Sequence, residues 1–90
     1  MIDKEKMSHE LKNRLNRIEG QVRGVHKLID NQATCEDVLI QLAAIKAAVE
    51  QVGMKVLGCY MADAVAAQVQ QGQDPTSSID QAIKLLGRLG

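Results

Sequence analysis

The sequence predicts an all-α protein whose subunit contains three helices, the second much longer than the other two. Three observations favour this fold class. Aromatic residues make up 1% of the 90 residues, with no Trp and no Phe, which disfavours β-sandwiches and barrels. Large aliphatic residues recur at spacings of three and four along most of the chain, as they do on one face of an α-helix. The chain contains one Pro, so its helices can run long.

The first predicted helix carries aliphatic residues at alternating intervals of four and three from Leu11 to Ile29. The polar residues 30–32 mark its end. Thr34 can then cap the next helix through its hydroxyl group, and Asp37 occupies the reciprocal position of a capping box. The boundary between the first two helices is therefore predicted from local chemistry alone.

The second predicted helix runs from Glu36 to about Gln71, with its apolar stripe between Val38 and Cys59. At 1.5 Å per residue it would measure on the order of 50 Å, which is longer than a globule of this size is wide. Two shorter helices of the same chain cannot cover the whole stripe. The sequence therefore predicts that the stripe continues against another subunit, as in a bundle or coiled coil.

The third predicted helix is short. Pro75 stands near its start, where proline is tolerated, and its apolar face lies between Ile79 and Leu86. Gly87 and Gly90 mark its end. No repeat, low-complexity tract or long linker divides the sequence. Residues 1–90 are therefore predicted to form a single domain.

The formal net charge is zero, which argues against a polycation that coats nucleic acid or membranes. Residues 12–27 nevertheless carry five Lys or Arg residues against Glu19 alone. Arg14 and Arg17 share one edge of the first helix, and such an edge can contact DNA phosphates and base edges. A solvated helix face is the competing interpretation. With no standard recognition motif in the sequence, DNA binding would need a multimer, whose basic surface Lys46 could extend.

Two cysteines without a signal-like apolar N-terminus predict a reducing, cytoplasmic location, where thiols serve packing, metal binding or redox chemistry. No apolar run approaches the roughly 20 residues needed to span a bilayer, so no membrane association is expected. Catalysis is not expected either, because His9 and His26 lie on the first helix with no nucleophile, base and oxyanion arrangement around them.

The spacing of the cysteines points to a site between subunits. Cys35 and Cys59 are 24 positions apart, or about 36 Å along a continuous helix, whereas two thiolates on one metal ion have sulfurs within roughly 4 Å. In an antiparallel pair of second helices that crosses at Ala47, Cys35 of one chain would face residues 59–60 of the other, at two equivalent sites. The competing interpretation makes Cys59 a small buried hydrophobe.

Two segments resemble the family of the copper-sensitive operon repressor and the nickel/cobalt-responsive repressor, a similarity that covers about residues 8–88. They are residues 14–24, Arg-Leu-Asn-Arg-Ile-Glu-Gly-Gln-Val-Arg-Gly, and residues 35–44, Cys-Glu-Asp-Val-Leu-Ile-Gln-Leu-Ala-Ala. The resemblance implies an all-α, three-helix subunit, an antiparallel dimer that pairs into a tetramer, and a repressor that an inducer releases from double-stranded operator DNA. It also implies a DNA-binding face that contains Arg14, Arg17 and Lys46.

The chain departs from the family at the ligand positions. Copper-sensing members carry Cys, His and Cys where this chain has Cys35, Tyr60 and Ala64. The nickel/cobalt type has His at positions 60 and 64, and the formaldehyde-responsive type has His at position 60. The persulfide-responsive type has Cys at positions 35 and 64. Asp80 occupies the place of a carboxylate in the outer shell of related copper sensors. The phenol oxygen of Tyr60 is a hard donor and binds a soft Cu(I) ion poorly. Tyr60 is therefore a further candidate for the outer shell.

Three possibilities for the inducer remain open. Cys35 and Cys59 of the partner subunit could form a two-thiolate Cu(I) site. Cys35 could instead react with an electrophile or with sulfane sulfur, and Cys59 could resolve the product if the two sulfurs can meet. The protein could also bind DNA without a small-molecule response. A different class of function, a helical interaction module that only oligomerises, is the rival to all three.

Overall fold

The computed structural model describes residues 3–90, which form three α-helices and contain no strand. The helices are α1 (Lys4–Asp30), α2 (Cys35–Gln70) and α3 (Thr76–Leu89). The predicted all-α class and the long central helix are confirmed. The predicted single domain also includes Met1 and Ile2, which lie outside the described residues, and it stays a prediction.

Helix α1 begins earlier than its apolar pattern. It starts at Lys4, seven positions before Leu11, and the side chain of Asp3 caps it by accepting a hydrogen bond from the backbone amide of Lys6 at 3.1 Å. Most of the residues between Lys4 and Leu11 are polar, so no hydrophobic period marks these turns. An acidic N-cap is the local signal for the true start, because its oxygen satisfies an amide at the helix end.

Helix α2 is continuous over 36 residues. The hydroxyl of Thr34 accepts a hydrogen bond from the backbone amide of Asp37 at 3.1 Å, which confirms the predicted cap. At 1.5 Å per residue the helix is about 54 Å long, and the longest dimension of the subunit is 59 Å. Gly72 follows the helix with φ of 73°, a left-handed conformation that glycine adopts without steric cost.

Helix α3 folds back along the C-terminal half of α2. The carboxylate of Asp74 accepts hydrogen bonds from the amide and hydroxyl of Thr76, at 3.0 and 2.6 Å, and so fixes the turn before the helix. At the other end of α3 the side chain of Leu89 lies against Gly53, where a Cβ atom would stand 2.6 Å from it. Glycine at position 53 therefore permits this close approach.

The three helices lie side by side with little enclosed core. The Cα atoms extend only 11 Å in the thinnest direction, about one helix diameter. Among residues 3–90 only Val25, Ser78 and Ala82 are buried. Large aliphatic side chains remain open to solvent on both ends of the subunit, including Leu39, which is 67% exposed, and Ile83, which is 61% exposed. A single layer of helices cannot bury its apolar surface by itself.

None of the helices between residues 3 and 90 combines the length and the hydropathy that crossing a bilayer would require.

Candidate functional site

Cys35 is the first residue of α2 and is exposed, with a free thiol. It follows the Thr34 cap directly, so the same local chemistry that starts the helix fixes the position of the thiol. Beside it lies a shallow apolar depression formed by the end of α1 and the first turns of α2. This depression is lined by Ile29, Ala33, Val38, Leu39 and Leu42, together with Cys35 itself.

Cys59 lies 24 positions further along the same helix and is half-buried, also as a free thiol. The continuity of α2 puts the two α-carbons about 36 Å apart. The part of the chain that the structure describes contains no cluster of three or more His, Cys, Asp or Glu residues that could hold a metal ion. Within one subunit, therefore, the structure does not bring the two predicted thiol ligands together.

Tyr60, the residue after Cys59, connects α2 to α3. Its hydroxyl donates a hydrogen bond to the side-chain oxygen of Gln81 at 3.2 Å, and its ring lines an apolar groove between the two helices. This arrangement suits tyrosine, whose ring is apolar and whose tip is polar. Asp80, the predicted carboxylate of the outer shell, is exposed on α3 next to Gln81. No sequence pattern marks Gln81 as a site residue, because its partner Tyr60 lies on another helix.

The three predicted DNA-contacting residues differ in their surroundings. Arg17 is exposed and has no ion pair among residues 3–90. Lys46 is also exposed, with its amino group 3.9 Å from the carboxylate of Glu50 one turn later. Arg14 is half-buried and more constrained, because it donates a hydrogen bond to the side-chain oxygen of Gln51 on α2 at 3.4 Å.

A carboxylate on α1 joins the basic side chains of two helices. One oxygen of Glu10 lies 3.0 Å from the Lys55 amino group and 3.5 Å from Nε of Arg14. The hydrogen bond and charge of Lys55, and then the charge of Arg14, hold the pKa of the Glu10 carboxyl below its ordinary value. The spacing of Glu10 and Arg14 could have indicated their pairing on one helix. No local signal marks Lys55, which is 45 positions from Glu10.

The family follows from comparison with known proteins. The model of the metal-sensitive transcriptional repressor family matches residues 7–88, nearly the whole chain. This chain belongs to that family. Membership in a family of transcriptional repressors confirms the predicted resemblance and agrees with the expectation that the chain is not an enzyme.

Two relatives in the repressor family have copper-sensing roles in their names. The copper-sensing transcriptional repressor CsoR of Bacillus subtilis (strain 168) is 37% identical over 67 residues, which cover 74% of this chain and 66% of that protein. The copper-sensing transcriptional repressor RicR of Mycobacterium tuberculosis (strain ATCC 25618 / H37Rv) is 37% identical over 59 residues, or 66% of this chain and 62% of that protein. The matched region thus spans just under two thirds of each relative.

Two solved structures from the repressor family share the fold over most of the chain. The copper-sensing repressor CsoR with Cu(I) from Geobacillus thermodenitrificans NG80-2 has 35% sequence identity and a TM-score of 0.76, and the match covers 98% of this chain and 90% of that one. The nickel-responsive transcriptional regulator InrS has 30% identity and a TM-score of 0.77, with 91% of each chain covered. Both matches confirm the all-α fold class.

Proposed function

We propose that this chain is a cytoplasmic, homotetrameric repressor that binds double-stranded operator DNA and is released by an inducer acting at Cys35, with Cu(I) bound between subunits as the first candidate. The observation that carries the proposal is the unbroken α2 helix, which begins at one thiol and holds the second 24 positions later. Family membership supports the repressor role, and the names of two relatives support copper as the inducer.

The open apolar surface supports assembly. A subunit with three buried residues between positions 3 and 90 leaves large aliphatic side chains along all of α2 in contact with water. Burial of such side chains between copies is favourable by about 25 cal/mol per Å² of apolar area. Two α2 helices packed antiparallel around Ala47 would cover this surface and would bring Cys35 of one subunit to Cys59 of the other.

The donor set fits Cu(I) if the two thiols meet. Thiolates are soft ligands that select this ion, and Cys35 is exposed at the helix end where a partner could reach it. Bound Cu(I) would supply a bridge between two subunits. Tyr60 is assigned to the outer shell, because its phenol is a hard donor and its hydroxyl is already bonded to Gln81. Asp80 is assigned to the same shell on its position in the family pattern.

Release from DNA sets a thermodynamic requirement. The inducer must bind the DNA-free form more tightly than the DNA-bound form, by on the order of 1–3 kcal/mol for typical allosteric coupling. The proposed DNA face contains Arg14, Arg17 and Lys46. Cations of this kind position a protein on the phosphate backbone, so Arg17→Ala is expected to weaken binding to all sequences alike.

A second candidate function rests on the exposure of Cys35. A free, exposed thiol beside an apolar depression is accessible to an electrophile or to sulfane sulfur. The thiolate would attack the sulfane sulfur and take it up as a persulfide, with the donor's remaining sulfur leaving as the thiolate. Mass spectrometry after sulfane-sulfur treatment tests this chemistry, and the absence of any Cys35 adduct or crosslink rejects it.

Anaerobic titration of the reduced protein with Cu(I), beside Cys35→Ala and Cys59→Ala variants, tests the proposed metal site. If each site joins one thiol from each of two subunits, both variants lose uptake, and the wild type binds one ion per subunit by twofold symmetry. Full uptake by Cys59→Ala shows the proposed thiol pair to be wrong. A salt-dependent preference for one duplex over random duplexes distinguishes the repressor from a helical module that only oligomerises.

A further inference from the structure

A small ion-pair cluster, which includes one of the residues assigned to DNA, joins α1 to α2. It consists of Glu10, Arg14, Gln51 and Lys55. Glu10 contacts both cations through the same carboxylate oxygen, and Gln51 accepts a hydrogen bond from Arg14. Two positive charges thus face one negative charge, and one cation in the cluster is left uncompensated.

We propose that Lys55 belongs to the DNA-binding surface and that Glu10 is an internal anion, which occupies Lys55 and Arg14 until a DNA phosphate replaces its carboxylate. This inference rests on the proposed function, because it assumes that the protein binds DNA. It adds a cation to the assigned set and gives a reason for the presence of a carboxylate among those cations.

The exposure of the cluster makes the exchange feasible. The side chains of Glu10, Lys55 and Arg14 are 44%, 36% and 35% exposed, so a phosphate can approach them without unfolding either helix. Ion pairs this open to water are weak. Phosphate oxygens, like carboxylate oxygens, accept charge-assisted hydrogen bonds from Lys and Arg. The cations can therefore change partner with little loss.

The position of Lys55 places it beside Arg14, one of the three assigned residues. One shallow depression between α1 and α2 is lined by Lys55, Arg14, Gln51 and Glu50. Glu50 is also the residue that pairs with Lys46. Lys46 itself does not line the depression, because nine positions separate it from Lys55 and place it on the opposite side of α2. Lys55 therefore extends the basic surface around Arg14.

The affinity for DNA distinguishes two possible roles of Glu10, joining the helices and competing with phosphate. If Glu10 only joined the helices, its removal would loosen Arg14 and weaken DNA binding. If it competes with phosphate, its removal frees two cations and strengthens binding. The sign of the change in affinity is therefore decisive, and a stability measurement alone would not reveal it.

The experiment uses the full-length protein and a duplex selected by the wild type from a randomised library, with affinity measured by fluorescence anisotropy over a series of KCl concentrations. Glu10→Gln is expected to bind about three- to tenfold more tightly at low salt, the scale of two exposed ion pairs. Lys55→Gln is expected to bind more weakly, and the slope of log K against log salt should fall in magnitude by about one.

Glu19→Gln is the matched control, because it removes the same charge from the same helix. It is nine positions from Glu10, which places the two carboxylates on opposite sides of α1. Its affinity for DNA should stay near that of the wild type. In the Lys55→Gln background, Glu10→Gln should give a smaller gain than it gives alone, because one of its two cations is gone.

The outcomes separate this inference from the repressor proposal. A wild type that selects no duplex overturns both. A wild type that binds its duplex, with Glu10→Gln no tighter than Glu19→Gln, overturns the competition and leaves the repressor proposal intact. An unchanged salt slope in Lys55→Gln removes Lys55 from the DNA surface. If Glu10→Gln does not fold, Glu10→Asp replaces it, because the shorter aspartate side chain reaches Lys55 less well. The competition predicts tighter DNA binding by this variant too, and an affinity equal to that of the wild type overturns it.

Discussion

The two seams of the subunit, where α1 and α3 each pack against α2, are held together by different chemistry. The α1–α2 seam carries charge, with ion pairs from Lys4 to Asp63 and from Glu10 to Lys55. The α2–α3 seam has neutral hydrogen bonds, such as that between Tyr60 and Gln81, and close packing around Ala82. Salt and polyanions are therefore expected to weaken the ion pairs of the first seam and to leave the neutral hydrogen bonds of the second unchanged. The charged seam therefore suits DNA binding, and the neutral seam suits a fixed support for the Cys59 region.

Overpacking of the neutral seam should have the largest effect on stability. Ala82 is 2% exposed, so a longer side chain has to displace its neighbours, and Ala82→Leu is expected to lower the free energy of unfolding by about 1–3 kcal/mol. Urea denaturation at one protein concentration measures the change. Lys84→Leu, at an exposed position on the same helix, is the control. A destabilisation equal to that of the control would mean that α3 does not pack as described.

Loss of the Tyr60 hydroxyl should have a smaller effect on the same seam. Tyr60→Phe removes the hydrogen bond to Gln81 and keeps the ring. The free energy of unfolding is expected to fall by about 0.5–1 kcal/mol. This is near the lower end for a net hydrogen bond, because both residues are exposed. The loss should be the same at low and high salt. A double-mutant cycle with Gln81→Ala isolates the pair, and a coupling energy of zero would show that the bond does not support the seam.

Removal of the Glu10 charge should have the smallest effect on stability, and salt and acid should abolish it. The pKa of Glu10 is lower in the folded protein than in the unfolded chain, mainly through Lys55. The contribution of Glu10 to the free energy of unfolding is therefore present above its pKa in the unfolded chain. It is lost as the pH falls through its lower pKa in the folded protein. The unfolding free energies of the wild type and Glu10→Gln should differ at neutral pH and converge in acid. A difference that persists in acid would point to packing as its source.

The predictable features of the fold are local ones. The cap at Thr34 and the length of α2 were predicted correctly, because capping chemistry and hydrophobic period act over a few residues. The start of α1 was missed because its first turns lack apolar residues. The Glu10–Lys55 and Tyr60–Gln81 contacts depend on how two helices pack, and no spacing in the sequence encodes that geometry. The sequence alone shows that Tyr60 and Ala64 depart from the family's ligand pattern. It does not show that the Tyr60 hydroxyl bonds across the α2–α3 seam.

The thinness of the subunit has a consequence for how the protein behaves in a cell. The subunit is a layer of helices one helix deep, and all three helices expose large aliphatic residues whose burial against another copy would be favourable. If folding relies on those contacts, dilution lowers the stability of the fold, because the free energy of unfolding then depends on protomer concentration. The number of copies would then set the fraction of the polypeptide that is folded and, under the proposed function, the occupancy of its DNA target as well.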